Sequence, residues 1–208
     1  RYPCLDEDCV KLGTIQRQAE APHTPISLEM APRYLKEGIC KNPKLSDFVA
    51  ELTRLGWLAI VVPEEYGGGG LGITEASIVL EEINRSGGSG AVCHAQMYTM
   101  GTLLRHGSPE QKERWLTGIA SGALRLQAFA VTEPDAGSDT ASISTFAERK
   151  GDRYIVNGKK IFISRMQHSD LMVLLARTTP RADVEKRTQG LSVFVVDLRD
   201  AGDSVHVQ

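Results

Sequence analysis

The sequence predicts an α+β protein: an N-terminal all-α helical domain followed by an antiparallel, β-barrel-like domain that is truncated. Three observations carry that reading. Apolar residues recur at three- and four-residue steps through the first half of the 208-residue chain. From about Leu124 the apolar period drops to two. Helical patterns come first and strand patterns follow, which indicates α+β, or an α domain followed by a β domain.

In "NPKLSDFVAELTRLGW", Leu45, Phe48, Val49, Leu52 and Leu55 form one apolar stripe. Asn42 is placed to cap that helix, Pro43 suits its first turn and Gly56 its end. "WLAIVVPEEYGGGGLG" leaves the helix through an apolar run into a glycine-rich stretch. No Lys-Ser/Thr follows it and no GxGxxG spacing fits, so it reads as a flexible connection rather than a phosphate cradle. "TEASIVLEEINRSGG" predicts a second helix, with Thr74 as cap and Ala76, Val79, Leu80 and Ile83 as its stripe. Residues 89 to 106 predict a more apolar, buried helix, in which His94 and His106 read as packed or capping residues. "SPEQKERWLTGIASG" opens with Ser108 as N-cap, Pro109 at the first position and Gln111 placed for a capping box.

The second half predicts strands at "RLQAFAV", "SISTFAER", "DLMVLLART" and "LSVFVVDL". A Lys150-Gly151-Asp152 turn follows the second of them. "RYIVNGKKIFIS" carries Asn157-Gly158, a strong hairpin signal between two strand-like flanks. "SVHVQ" predicts a last strand that ends with the polypeptide, without the partner that would cover its edge. The expected domains are 1–123 (with 1–32 unassigned) and 124–208, the second incomplete.

Composition narrows the function. Apolar residues make up 41%, charged residues 24%, and the net charge is −2. That balance lacks the basic face of a nucleic-acid binder. The longest apolar run, Leu55 to Val62, is too short for a membrane span. Cys4, Cys9, Cys40 and Cys93 show no zinc spacing with the five histidines. They read as reduced thiols, with a Cys4–Cys9 bridge the alternative.

Chemistry concentrates in "AVTEPDAGSDTAS", residues 130–142. A turn shaped by Pro134 and Gly137, a metal loop on Glu133, Asp135 and Asp139, and a bed for an anionic ligand all use these residues. Pro134 and the lack of a distal Glu break a calcium-loop pattern. A second hydroxyl-ended segment, "NGKKIFISRMQHSD", can bring Ser164 to the same rim as Thr132, with Phe129 and Phe162 close by. Hydroxyls, backbone donors and flat apolar surfaces suit a planar heteroaromatic with an anionic tail.

At these residues the chain closely resembles the acyl-CoA dehydrogenase family of flavoproteins. The resemblance rests on "FAVTEPDAGSD" and "NGKKIFIS", with "LGWLAIVVPEEYGGGGLG" and "HGSPEQKERWLTGIASGALRLQAFAVTEPDAGSD" following in family order. It covers roughly residues 33 to 200. It implies a helical domain, a middle β domain and a C-terminal helical bundle, the last absent from this sequence. It implies FAD as cofactor, with Phe129, Val131, Thr132, Gly137, Ser138, Phe162, Ile163 and Ser164 on the cofactor side and Ser138 also meeting the acyl-CoA. Phe162 and Ser164 stand where the family usually has Trp and Thr, and "RMQHSD" departs from the usual Asn-Gly-Gly type turn.

The implied reaction is α,β-dehydrogenation of an acyl-CoA thioester, with the α-proton going to a carboxylate and hydride to flavin N5. No catalytic base is expected in this chain, because the family's glutamate comes from the C-terminal bundle. Glu133 is therefore expected to be structural, and no metal is expected. The resemblance further implies an electron-transfer flavoprotein as acceptor, a homotetramer or homodimer, and a bacterial cytoplasmic or mitochondrial matrix location. An acyl-CoA oxidase or flavin-dependent monooxygenase of the same fold is the enzymatic alternative. A non-catalytic flavin- or CoA-binding scaffold is the alternative of another class.

Overall fold

The computed structural model describes residues 45–86 and 88–207. They fall into two compact units, one containing the described residues to Met97 with Leu104–Ala123, the other Tyr98–Leu103 with the residues from Leu124 onward. Asn42, Pro43, Cys4, Cys9 and Cys40 lie outside the described residues, so their expected roles do too.

The first unit contains α1 (Leu45–Arg54), α2 (Ile73–Arg85), the start of α3 (Ala91–His106) and α4 (Pro109–Ala120). Val49 and Leu52 of α1, Ala76, Val79 and Ile83 of α2, and Val92 and Met97 of α3 are buried in one core cluster. Leu55 and Leu80 pack at its margin. Gly56, at φ +76°, ends the first helical segment, and Trp57–Ala59 form a buried 3-10 turn. Ser108 caps α4: its Oγ accepts from the Gln111 amide at 3.3 Å, while its own amide donates to Gln111 Oε1 at 2.9 Å.

Two expectations here are corrected. Residue 74 does not cap α2. Its cap is Gly72, whose amide donates to the Glu75 carboxylate at 2.9 Å, so the helix starts one residue before Thr74. The glycine run is not a flexible connection. Gly69, Gly70 and Leu71 donate to the carbonyls of Ala59, Val62 and Ile60, folding the loop back on the apolar run. A Cβ on Gly68 would lie 2.3 Å from Val62 Cβ, so the close approach requires glycine.

His94 and His106 are exposed rather than packed, and His106 is the last residue of α3. Cys93 is buried, and burial pushes its thiol up to about 12.

The second unit is built on five strands: β1 (Leu126–Ala130), β2 (Phe146–Lys150), β3 (Arg153–Asn157), β4 (Leu171–Arg177) and β5 (Leu191–Asp197). Strand β4 is central, buried along nearly its whole length. Along one edge β5 pairs with it antiparallel, from Leu171↔Asp197 to Arg177↔Leu191. Along the other, β1 runs parallel to residues 171–174, and β2 meets it in parallel at Phe146↔Arg177. The α+β class stands. The expected antiparallel barrel does not: among the described residues the sheet is mixed and open.

The hairpin joins β2 to β3 across Gly151, which sits at φ +64°. Asn157-Gly158 makes no hairpin. Gly158 instead lies against Thr145, whose Oγ1 would be 2.2 Å from a Cβ there. The strand expected over "SISTFAER" begins only at Phe146, because the Ser144 and Thr145 amides donate to the Glu133 carboxylate. "SVHVQ" is likewise not a strand: Gly202–Ser204 form a 3-10 turn, and 205–207 pair with nothing among the described residues.

Candidate functional site

Where β1 ends, the chain enters a tight turn. The Glu133 amide donates to the Ala136 carbonyl at 2.9 Å, and the Ala136 amide returns a bond at 3.2 Å. The turn directs the Glu133 side chain inward, to 3% exposure. One carboxylate oxygen accepts from the Ser144 amide (2.7 Å) and the Ser144 hydroxyl (2.8 Å). The other accepts from the Thr145 amide (2.9 Å) and from Lys160 Nζ (2.9 Å). Burial pushes this carboxyl up, but the bonds it accepts outweigh that and hold it down at about 2.

Lys160 Nζ, itself 9% exposed, also donates to the Val131 carbonyl at 2.9 Å. The next amide, Ile161 N–H, donates to the Thr132 carbonyl at 2.9 Å. One buried ammonium and one backbone bond thus fasten the segment after β3 to the segment after β1. The two chemistry-bearing stretches of the sequence meet here.

Beyond the tie the backbone is unusual. Phe162 (φ +57°) and Arg165 (φ +65°) are the non-glycine residues in the left-handed region among those described. That conformation costs about 1–2 kcal/mol at each residue. Between them Ile163 packs with Met166 against Ala128, Ala130, Met172 and Leu174. With Ile163 anchored inward, Phe162 is left 88% exposed. An exposed aromatic held in a strained backbone is a feature that packing alone does not explain. Ser164 is exposed too, and its amide donates to the Phe162 carbonyl at 3.1 Å. In "RMQHSD", Met166–His168 form a 3-10 turn, and Arg165 Nε reaches the buried Gln127 Oε1 at 3.1 Å.

Phe129 is partly exposed and stacks edge-on against Tyr98, ring centroids 5.3 Å apart. Val131 and Thr132 are half-buried, while Gly137 and Ser138 are exposed. After them Ser142 Oγ donates to Asp139 Oδ2 at 2.6 Å, and Arg187 meets both residues. The Ser142 hydroxyl and Arg187 hold the Asp139 carboxyl below its ordinary range. The Thr132 and Ser164 hydroxyls make no hydrogen bond to other described residues.

Sequence reasoning named the hydroxyls and aromatics but missed Lys160, Arg177 and the tie at Ile161. Lys160 had one signal, a lysine at an alternating position inside a strand-like run.

The sequence model of the acyl-CoA dehydrogenase N-terminal domain matches residues 26–123, and that of the middle domain matches residues 128–208. The chain belongs to the acyl-CoA dehydrogenase family. It is 41% identical over 139 residues to acyl-CoA dehydrogenase FadE12 of Mycobacterium tuberculosis, covering 66% of this chain and 36% of that protein. Among solved structures it resembles an acyl-CoA dehydrogenase from Geobacillus kaustophilus (TM-score 0.68, 33% identity, 80% of this chain and 43% of that one). It also resembles a glutaryl-CoA dehydrogenase from Mycobacterium smegmatis in complex with FADH2 (TM-score 0.62, 28% identity, 73% of this chain and 37% of that one). The chain spans less than half the length of each.

The residues fit the cofactor this family uses. A flavin ring needs a flat apolar surface, and Phe162 offers one, with Phe129 a second aromatic at the end of β1. It also needs hydrogen-bonding groups at its polar edge, a chemistry that the Thr132 and Ser164 hydroxyls, bonded to no other described residue, could offer.

Proposed function

We propose that this chain is the FAD- and acyl-CoA-facing part of an acyl-CoA dehydrogenase, which oxidises the α,β carbon–carbon bond of an acyl-CoA thioester. The observation that carries this reading is the buried tie from Lys160 and Ile161 to Val131, Thr132 and Glu133. It joins two segments distant in sequence, each with an aromatic nearby and a hydroxyl that bonds no other described residue. The mycobacterial glutaryl-CoA dehydrogenase with FADH2 supports FAD as the ligand.

Phe129, Val131, Thr132, Gly137, Ser138, Phe162, Ile163 and Ser164 form the cofactor side. Bound FAD supplies the two-electron acceptor. Thr132 and Ser164 would hold it through their hydroxyls, and the exposed Phe162 ring would shield it from water. Ser138, exposed at the end of the turn, holds the acyl-CoA. Glu133 is not the base, because its lone pairs are taken up by four donors and its low pKa makes it a poor proton acceptor. We take the full-length protein to carry its family's C-terminal helical bundle with the base in it, and to be a homotetramer or homodimer.

The full-length protein is the material for the test. Anaerobic addition of an acyl-CoA should bleach the visible flavin band, and the electrons should pass to an electron-transfer flavoprotein. Peroxide formed with stoichiometric oxygen uptake would identify an oxidase instead. FAD binding without reduction by any acyl-CoA would indicate a binding protein. Bacterial and mitochondrial relatives support placing the protein in the bacterial cytoplasm or the mitochondrial matrix. No helix among the described residues is long and apolar enough to cross a membrane.

A further inference from the structure

Strand β4 is an apolar run that ends in an arginine. Arg177 is 4% exposed, and its side chain meets backbone carbonyls from two separate loops. On one side Nε donates to Ile143 O at 3.2 Å and Nη2 to Ala141 O at 2.7 Å. On the other Nη2 donates to Arg187 O at 2.9 Å and Nη1 to Gln189 O at 3.2 Å. Its own amide donates to Thr145 O at 2.8 Å. Four carbonyl dipoles satisfy this buried guanidinium. Its planar fork fixes the direction of every bond, which a lysine ammonium cannot do from a single nitrogen.

The same two loops meet again at the surface. The exposed Arg187 guanidinium contacts the Asp139 carboxylate and donates to Ser142 Oγ at 2.6 Å. Residues 139–143 are therefore gripped from inside by Arg177 and from outside by Arg187. Neither guanidinium touches the Glu133–Lys160 pair; Arg177 meets that tie through its backbone amide on Thr145 alone.

We infer that Arg177 and Arg187 form a clasp that positions loop 139–143, and with it the acyl-CoA contact of the adjacent Ser138, separately from the flavin-side groups at Thr132 and 162–164. The inference rests on the functional reading above for the identity of the ligand at Ser138. Both are positioning residues: they act through the loop and make no contact assigned to substrate.

The test uses full-length, FAD-loaded protein carrying R187A or R177K. Arg187 is exposed, so R187A should fold even where R177K does not. The expected result for R187A is a rise in acyl-CoA KM of about tenfold, the scale of one lost contact. The rate of flavin reduction at saturating acyl-CoA, the FAD content and the flavin spectrum should stay near wild type. R177K should move KM in the same direction and further, and R187K should restore part of the R187A loss. Folded R187A with unchanged KM would overturn the clasp. So would loss of FAD and rate together, which marks a general structural defect. Amide hydrogen exchange gives a readout that needs no substrate. R187A should speed exchange at residues 139–143 and 187–190 and leave 131–133, 144–145 and 160–164 unchanged; equal acceleration in the clasped loops and in the Glu133–Lys160 tie would refute the clasp. A wild-type enzyme reduced by no acyl-CoA would overturn the functional reading, while the exchange result would still decide the clasp.

Discussion

Replacing Lys160 by Met tests the tie on which the site depends. The substitution keeps a long apolar stem but removes the ammonium from a pair whose side chains are 9% and 3% exposed. Glu133 would keep the Ser144 amide, the Ser144 hydroxyl and the Thr145 amide. Breaking a buried ion pair by removing one partner costs about 3–5 kcal/mol, and three remaining donors place this case near about 3 kcal/mol. All the donors to Glu133 together, of which Lys160 is one, set an upper scale for that loss. Held at about 2 rather than the ordinary 4.5, the Glu133 carboxylate contributes about 3 kcal/mol to folding. Because the folded-state pKa is the lower one, that contribution is complete above pH 4.5. It is lost as pH falls from there through about 2.

Tryptophan fluorescence is the wrong probe, since Trp57 and Trp115 both lie in the helical unit. Urea denaturation followed by circular dichroism, with amide exchange over β4, reports the sheet unit. With a slope of about 2 kcal/mol per molar, K160M should lower the sheet unit's midpoint by about 1.5 M at neutral pH. E133Q should also destabilise the protein at neutral pH, and its deficit against wild type should shrink as pH drops toward 2. The E133Q/K160M double variant should lose less than the sum of the two single variants, because the Glu133–Lys160 interaction they share is lost only once. A midpoint for K160M within error of wild type would refute the reasoning. So would an E133Q deficit that does not change with pH.

Three further outcomes follow from individual residues. G158A should destabilise the sheet unit by about 1–3 kcal/mol in thermal unfolding, since its Cβ would lie 2.6 Å from Thr145 Cβ. F162G should do the opposite, raising stability by about 1 kcal/mol by relieving the left-handed backbone, while lowering the FAD content of the full-length protein. Cys93 should resist thiol reagents in the native protein and react once unfolded, because burial holds its thiol at about 12.

Much of the helical architecture was legible because its signals are local. The stripe of Ala76, Val79 and Ile83 and the Ser108–Gln111 capping box depend on residues within a turn or two of one another. The errors came where a distant partner outbid a local preference. Asn157-Gly158 is a good hairpin sequence, yet its glycine is needed to let Thr145 approach. Ser144 and Thr145 alternate like a strand, yet their amides serve Glu133 eleven and twelve residues away. No local pattern states that β1 runs parallel to β4, forty-five residues on.

The site shows the same division. Thr132, Ser138, Phe162 and Ser164 stood out through residue type and the family resemblance. The left-handed backbone at Phe162 and the bridging by Lys160 depend on tertiary geometry, and no spacing rule reports them. Arg177 was hidden for a plainer reason: an arginine closing a strand reads as an exposed end, and only the loops folded over it make it buried.

The most direct test of the account is anaerobic rapid mixing of the full-length, FAD-loaded protein with acyl-CoA substrates, comparing wild type with S164V. The account predicts that at least one acyl-CoA bleaches the flavin in the wild type. S164V should slow that bleaching by about tenfold or more while acyl-CoA affinity changes little. An equal rate in the two proteins would remove Ser164 from the flavin, and a wild-type flavin left oxidised by every acyl-CoA would contradict the proposed function.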